Sequence, residues 1–369
     1  MRIKSRAEMG PLLQDAAPPP GLGDGLRWLL LPWHAARVLT GEKSFRHNPL
    51  LGSEWLNRRG LHLWRVRLAQ KLAWHRRARL AQLVSGQDRA DFARDGFVQV
   101  RDFLPAAAFE ALAVRLAGLE AEAREMREGG ATTRRVAVTP SLLRRAPELA
   151  ALLQHPRWRG LTRYVASFDA EPTVFIQIIL AGGPTAAEDP QTRLHMDTFH
   201  PTMKAWFFLH AVEEAEGPLT YVPGSHLQTL RRQAWQRRRS VLAARARQNG
   251  GAFRVTAAEL SGFGFGAQRR FAVPGNTLVV ADTCGFHARA ASDRASLRVE
   301  IYATSRPNPF YPLLRPVLDW VPALGCRRMA MQYWLQDRLA SLGLARMTWR
   351  RAGLVPASPV TGLPKPGQR

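Results

Sequence analysis

A mainly β core between helical extensions is the fold class the sequence predicts, on three observations. Short apolar runs at 174–180, 204–212, 277–281 and 297–302 are rich in β-branched and aromatic residues. Turns such as Gly182-Gly183-Pro184 and Pro274-Gly275-Asn276 separate them, which reads as a sandwich, jelly roll or barrel and not as a parallel α/β sheet. On either side the pattern turns helical, strongly basic before Val84 and Pro-containing after Arg306.

The 369 residues, 46% of them apolar, suit two domains or one with sizeable extensions. The expected division is 1–86, a basic helical N-terminal extension, 87–306, the β domain, and 307–369, a helical C-terminal extension. A formal charge of +24 implies contact with something polyanionic: nucleic acid, an anionic membrane or an acidic substrate. The two cysteines, Cys284 and Cys326, form no zinc or disulfide pattern and suggest a reducing compartment. Arg2, Lys4 and Arg6 precede Pro18-Pro19-Pro20 and no apolar segment, so no signal peptide is expected. The run Trp28-Leu29-Leu30-Leu31, cut by Pro32, is far short of a bilayer span. A cytoplasmic protein is expected, with a peripheral place on the inner face of the membrane as an option.

Residues 1 to about 25 read as loose. Between Leu61 and Val84 a helix is expected, in which Leu61, Trp64, Leu68, Leu72, Leu80 and Leu83 alternate with Arg65, Arg67, Lys71, Arg76, Arg77 and Arg79. It reads equally as a helix lying on an anionic membrane through Trp64 and Trp74 or as one packed on the core with a solvated basic face. A short helix from Asp91, a turn at Asp95-Gly96 and a strand to Val100 follow. Pro105 opens a helix burying Phe109, Leu112 and Leu116. Gly129-Gly130 reads as a mobile loop, with helices around 142–153 and 158–165 after it. Beyond the strand block's first half, Arg231-Arg232 and Arg237-Arg238-Arg239 read as the solvated face of a helical insert. The C-terminal part is expected to be helical from Cys326 to Leu344 and then loose.

The chemistry centres on Arg193-Leu194-His195-Met196-Asp197-Thr198-Phe199-His200. On a strand, His195 and Asp197 project from one face; on a helix they would diverge. An imidazole and a carboxylate on one face are two thirds of the triad that holds non-haem Fe(II) with open positions. Alone, such a pair is more often a surface histidine beside an aspartate. A second histidine is expected from a late strand, where His287 stands. Arg298, on the next strand and expected beside it in one sheet, offers a planar guanidinium suited to the far carboxylate of a dicarboxylate. His226 reads as a turn residue, His200 as pocket-lining or surface, and Cys284 as a small buried residue near the metal.

Five pieces in order resemble the phytanoyl-CoA dioxygenase family of Fe(II)- and 2-oxoglutarate-dependent oxygenases. They are Phe92-Ala93-Arg94-Asp95-Gly96-Phe97-Val98 with Asp102-Phe103-Leu104, then His195-Met196-Asp197, then Gly217-Pro218-Leu219 through Pro223-Gly224-Ser225-His226, then Gly275-Asn276-Thr277-Leu278, and His287 with Arg298. The resemblance spans about residues 87–306. It implies a double-stranded β-helix, the jelly-roll or cupin-like fold, with His195, Asp197 and His287 as catalytic iron ligands and Arg298 as the partner of 2-oxoglutarate. Gln177 and Trp206 would line the co-substrate pocket. Fe(II), 2-oxoglutarate as co-substrate and O2 are the cofactors so implied. Arg289 departs from the small hydroxyl residue often found two positions after the second histidine, and reads as reaching an anionic substrate or facing solvent.

The expected function is hydroxylation of a C–H bond in a small molecule or lipid, anionic or presented at a membrane. Halogenation is disfavoured, because Asp197 fills the place a halide would need. The alternatives are desaturation at the same iron, and a non-catalytic jelly-roll binding protein on an anionic membrane. Nucleic acid is not the expected partner, since no recognised binding motif accompanies the arginines. Neither the substrate nor the oligomeric state is legible.

Overall fold

The computed structural model describes residues 30–182, 189–314, 328–343 and 347–359; the expectations for the N-terminal 25 residues, for Gly183-Pro184 and for Cys326 lie outside them. Helices α1 (Leu31–Val38), α2 (Glu54–Arg58) and α3 (Leu61–Leu80) lead to α4 (Gly86–Asp95) and strand β1 (Phe97–Val100). Next come α5 (Ala106–Ala117), strands β2 (Glu120–Glu128) and β3 (Ala131–Ala137), and helices α6 (Pro140–Arg145), α7 (Pro147–Gln154) and α8 (Pro156–Ala166). Strands β4 (Thr173–Ala181), β5 (Met203–Phe208) and β6 (Leu219–Tyr221) precede α9 (Leu230–Arg245) and α10 (Ala257–Ser261). Strands β7 (Arg269–Arg270), β8 (Thr277–Asp282), β9 (His287–Arg289) and β10 (Ser296–Ser305), helix α11 (Arg328–Ser341) and strand β11 (Arg350–Pro356) complete the order.

The strands form an eight-stranded antiparallel sheet, β1-β8-β5-β10-β4-β3-β2-β11, and a three-stranded one, β7-β6-β9. The central strands of the large sheet, β8, β5, β10 and β4, are buried on both faces, and the period of two sorts their side chains. Ile176, Ile178, Phe207, Val280, Val299 and Ile301 join helical residues such as Leu112, Leu116, Trp158 and Leu161 in one core. Their neighbours Phe175, Trp206, Phe208, Val279 and Tyr302 join Leu219 and Tyr221 of the small sheet in another. The core is thus the expected jelly-roll type, mainly β, with helices on the outer face of the large sheet and the small sheet over its inner face.

Local chemistry sets several boundaries. Ser53, Ser85, Thr139 and Thr229 each accept a hydrogen bond from the backbone N–H three residues on, as helix N-caps do. Gly96 ends α4 at φ 85, and a Cβ there would fall 2.4 Å from His226 Nδ1, so glycine is required on both conformational and steric grounds.

Four expectations are corrected. Gly129-Gly130 is the tight turn of the β2–β3 hairpin and not a mobile loop. The β2 sequence, Glu-Ala-Glu-Ala-Arg-Glu-Met-Arg-Glu, is made of helix formers, but pairing with β3 on one side and β11 on the other overrides that propensity. The C-terminal tail is likewise not loose throughout, because β11 adds an edge strand to the large sheet. Finally, α3 has no simple basic outer face: Arg65, Arg76 and Arg77 are buried, while Trp64 is 48% exposed. The buried guanidiniums spend their donors on backbone carbonyls, Arg76 on Ser167 and Tyr311 and Arg77 on Tyr164 and Val165. In α9, Arg231, Arg237 and Arg238 are exposed as expected, but Arg232 is fully buried and donates to the Cys284 carbonyl.

Candidate metal centre

His195 does not sit in a regular strand. Its segment is extended but held by isolated bridges, His195 to Arg254 and His195 to His287. His195 and His287 exchange backbone hydrogen bonds of 3.0 and 2.9 Å, and the Asp197 N–H donates to the Thr283 carbonyl at 2.9 Å. The extended backbone still alternates: Met196 is fully buried in an apolar cluster, while His195 and Asp197 both line a cavity of about 290 Å³.

His195, Asp197 and His287 each offer a ligand atom, all within 4.8 Å of one another. The His195 Nδ1 lies 2.8 Å from the Arg193 carbonyl and the His287 Nδ1 3.0 Å from that of Gly285. A carbonyl can only accept, so each Nδ1 carries the proton and each Nε2 presents a lone pair. Those Nε2 atoms stand 3.9 and 3.6 Å from the Asp197 Oδ1. The His287 Nε2 is buried without a hydrogen-bond partner. Two imidazoles and a carboxylate converging on one point, with a buried nitrogen left unsatisfied, fit a divalent metal. The electrostatics agree. Burial, with help from His287, pushes His195 down to about 3. Burial alone would raise Asp197, but Lys204, His287 and Arg306 outweigh it and hold the carboxyl well below its usual range. Both groups are in their metal-binding forms at neutral pH.

Arg298 lines the same cavity, but not from the same sheet as His287, as expected from sequence. His287 is on β9 of the small sheet and Arg298 on β10 of the large one, so the two face each other across the jelly roll. Antiparallel register places Arg298 opposite Ile179 and Glu300 opposite Gln177, and Tyr302 opposite Trp206. Gln177 and Trp206 accordingly line the cavity. The Gln177 amide accepts from Arg135 at 2.7 Å and donates to Glu300 at 2.5 Å. Arg298 donates to the Gly217 carbonyl at 2.9 Å and pairs with Glu300 at 3.2 Å. Arg289 also faces the cavity, in an ion pair with Asp189 at 2.8 Å; burial first, then Arg298, lowers its pKa.

His200 is neither cavity-lining nor at the surface: it is fully buried, its Nδ1 on the Pro201 carbonyl at 2.9 Å. The alternation that turns His195 and Asp197 to the cavity is lost beyond Thr198. His226 is buried and packs on Phe92, as a structural residue does, and Cys284 is buried.

Sequence reasoning missed several cavity residues. Lys204, at 2.7 Å from Asp197 Oδ2, was recoverable, since it shares the inward face of β5 with Trp206 two residues on. Asp189 and Glu300, which pair with the lining Arg289 and Arg298, carry no local signal, and neither does Lys43, which arrives from the N-terminal region to donate to the Asp197 carbonyl at 2.7 Å. Burial, followed by Arg306, lowers Lys43 to about 8. Among the described residues no helix is long and apolar enough to cross a membrane.

Solved structures with similarity to the chain include a non-haem α-ketoglutarate-dependent epimerase, SnoN, of nogalamycin biosynthesis. It is 22% identical over 61% of this chain and 82% of its own, at a TM-score of 0.41. HygX from Streptomyces hygroscopicus, with nickel and 2-oxoglutarate bound, is 18% identical over 61% and 87%, at 0.37. Comparison with curated proteins gives no match. The family model of phytanoyl-CoA dioxygenase (PhyH) matches residues 92–255, a stretch that holds His195 and Asp197 and stops short of His287 and Arg298. Over that stretch, a little under half of its length, the chain is similar to the phytanoyl-CoA dioxygenase family.

Proposed function

We propose that this enzyme of the Fe(II)- and 2-oxoglutarate-dependent oxygenase type hydroxylates a C–H bond of a small-molecule or lipid substrate. One observation carries the reading: two histidines whose Nδ1 protons are committed to carbonyls aim their Nε2 lone pairs at one carboxylate. His195, Asp197 and His287 would hold the iron, leaving positions open for 2-oxoglutarate and O2. Bound there, the iron and its co-substrate supply the oxidising power, with succinate and CO2 as co-products.

The chain's own part is placement. Arg298, 7% exposed, offers a charge-assisted hydrogen bond to the distal carboxylate of 2-oxoglutarate, and Gln177 and Trp206 form the wall beside it. Arg289, already held by Asp189, lies near enough to reinforce that positive end. Burial of the wall keeps water from the reacting positions.

Anaerobic addition of Fe(II) and then 2-oxoglutarate to the purified chain should produce the visible charge-transfer band of a keto-acid bound to iron. His195→Ala should abolish it, and Arg298→Ala should weaken 2-oxoglutarate binding by about tenfold or more, as expected for one charge-assisted contact. A folded wild-type chain that develops no band with both components present would overturn the proposal.

A further inference from the structure

Three cations converge on Asp197. Lys204 Nζ stands 2.7 Å and Arg306 Nη2 3.7 Å from its Oδ2, and Lys43 Nζ donates to its backbone carbonyl at 2.7 Å. Among the described residues, Asp197 is the only acidic side chain within ion-pair distance of Lys204 or Arg306, and Lys43 has none. Two of the cavity arginines differ, since Arg289 has Asp189 and Arg298 has Glu300, and Arg135 donates to Gln177. Fe(II) and dianionic 2-oxoglutarate cancel in charge, so loading the site leaves three cations against one carboxylate. Two positive charges stay unanswered, and the Lys204 side chain is only 20% exposed, where an uncompensated charge is costly.

The chain invests in placing Lys43. Its loop is clamped by the buried Arg65 of α3, which donates to the carbonyls of Val38, Thr40 and Glu42 at 2.8, 2.9 and 2.6 Å. The Phe45 N–H bonds the Gln248 carbonyl at 3.0 Å. The Arg65 guanidinium in turn lies 4.1 Å over the ring of Phe199, two residues past Asp197. Arg306 is 46% exposed, so the cluster opens to solvent on one side and to the cavity, through Lys43 and Lys204, on the other.

We propose that Lys43, Lys204 and Arg306 form a substrate-binding site for a phosphate-type dianion, and that Lys43, outside the family-matched segment, is a specificity-determining residue. Two ammonium groups and a guanidinium supply charge and donors for a tetrahedral oxyanion carrying two negative charges. The proposal rests on the iron and 2-oxoglutarate reading and names the substrate class for it. The phosphate can be borne by a soluble molecule or by a lipid headgroup.

The test is calorimetric titration of the full chain, loaded anaerobically with Fe(II) and 2-oxoglutarate, with phenyl phosphate, benzoate and benzyl alcohol at fixed ionic strength. Phenyl phosphate should bind at least about tenfold tighter than benzoate, and benzyl alcohol weakest. Lys43→Gln and Arg306→Gln should each weaken phenyl phosphate by about tenfold while the charge-transfer band persists. Lys43→Arg, which keeps the charge, should restore binding, and Arg238→Gln on exposed α9 should change nothing. Vesicles of phosphatidylcholine with and without phosphatidic acid present the lipid-borne form; binding that needs phosphatidic acid and Lys43 assigns the same site to a lipid phosphate. If the band forms but neither phosphate probe depends on Lys43 and Arg306, the anion site is wrong and the iron reading stands. If the wild-type chain gives no band, the iron reading fails and this proposal falls with it.

Discussion

Replacing Arg77 by Met should destabilise the fold by about 3–5 kcal/mol, the cost of breaking a buried ion pair from one side. The Arg77 Nη2 lies 2.9 Å from Asp282 Oδ2, with both side chains 1% exposed. It also donates to the Val165 carbonyl at 2.7 Å, and Nε to that of Tyr164 at 3.2 Å. Removing the guanidinium leaves the Asp282 carboxylate buried with only the N–H groups of Thr202 and Cys284 on its Oδ1, at 3.1 and 3.0 Å. Two backbone amides solvate part of that charge, so the lower end of the range is the better expectation for the ion pair. The orphaned carbonyl of Val165 adds roughly 1 kcal/mol or more, while that of Tyr164 keeps the Ser167 N–H at 3.1 Å. Against a typical total stability of roughly 5–15 kcal/mol, this is a large fraction. Arg77→Met with Asp282→Asn should recover part of the loss, because the pair is then neutral on both sides. Urea unfolding of the two single variants and the double gives the coupling energy directly. An Arg77→Met cost below about 1 kcal/mol, or strict additivity in the double variant, would refute the reasoning. The consequence reaches the metal centre: Asp282 anchors the turn that leads to His287, so a helix outside the family-matched segment helps hold a ligand. A chain shortened to residue 87 onward should therefore lose stability and metal together.

Acid should unfold the protein progressively below neutrality. Burial is the main cause that pushes His62, His200 and His226 down from 6.5 to about 3. The unfolded chain takes up these protons near 6.5 and the folded one does not, so the stability they confer is complete above pH 6.5 and falls as the pH drops toward 3. Each histidine should remove roughly 2 kcal/mol between pH 6.5 and 5. Urea unfolding at pH 7 and 5 measures it, His62→Gln should flatten the dependence by one histidine's share, and equal stability at both values would contradict the buried neutral state. Gly285→Ala should cost roughly 1–3 kcal/mol by overpacking, since its Cβ would fall 1.9 Å from the Tyr221 hydroxyl and that hydroxyl donates to the Asp282 carbonyl at 2.7 Å. Thermal unfolding that matches wild type would show that Tyr221 moves freely there.

Much of the site was legible because strand periodicity is local. The His195-Met196-Asp197 alternation needs only an extended backbone, and isolated bridges supply one as well as a regular strand does. Gln177 and Trp206 came from the family resemblance, through their places on the neighbouring strands. The arginines were not legible. Arg65, Arg76 and Arg77 share a helix with the exposed Arg67, Lys71 and Arg79, and nothing in the residue type separates a solvated guanidinium from one spending its donors on distant carbonyls.

The sequence by itself determined the β core, the order of its strands along the chain and the residue types of a metal triad, because hydrophobic period and turn chemistry act over a few residues. Tertiary structure alone decided which sheet carries each strand, so that His287 and Arg298 face each other across the jelly roll instead of standing side by side. It alone turned the β2 helix formers into a strand, by giving them partners on both edges. It also brought Lys43 to Asp197, across 154 residues of chain. Long-range pairing and burial settle such contacts, and no local pattern encodes which distant carbonyl or carboxylate a cation will meet.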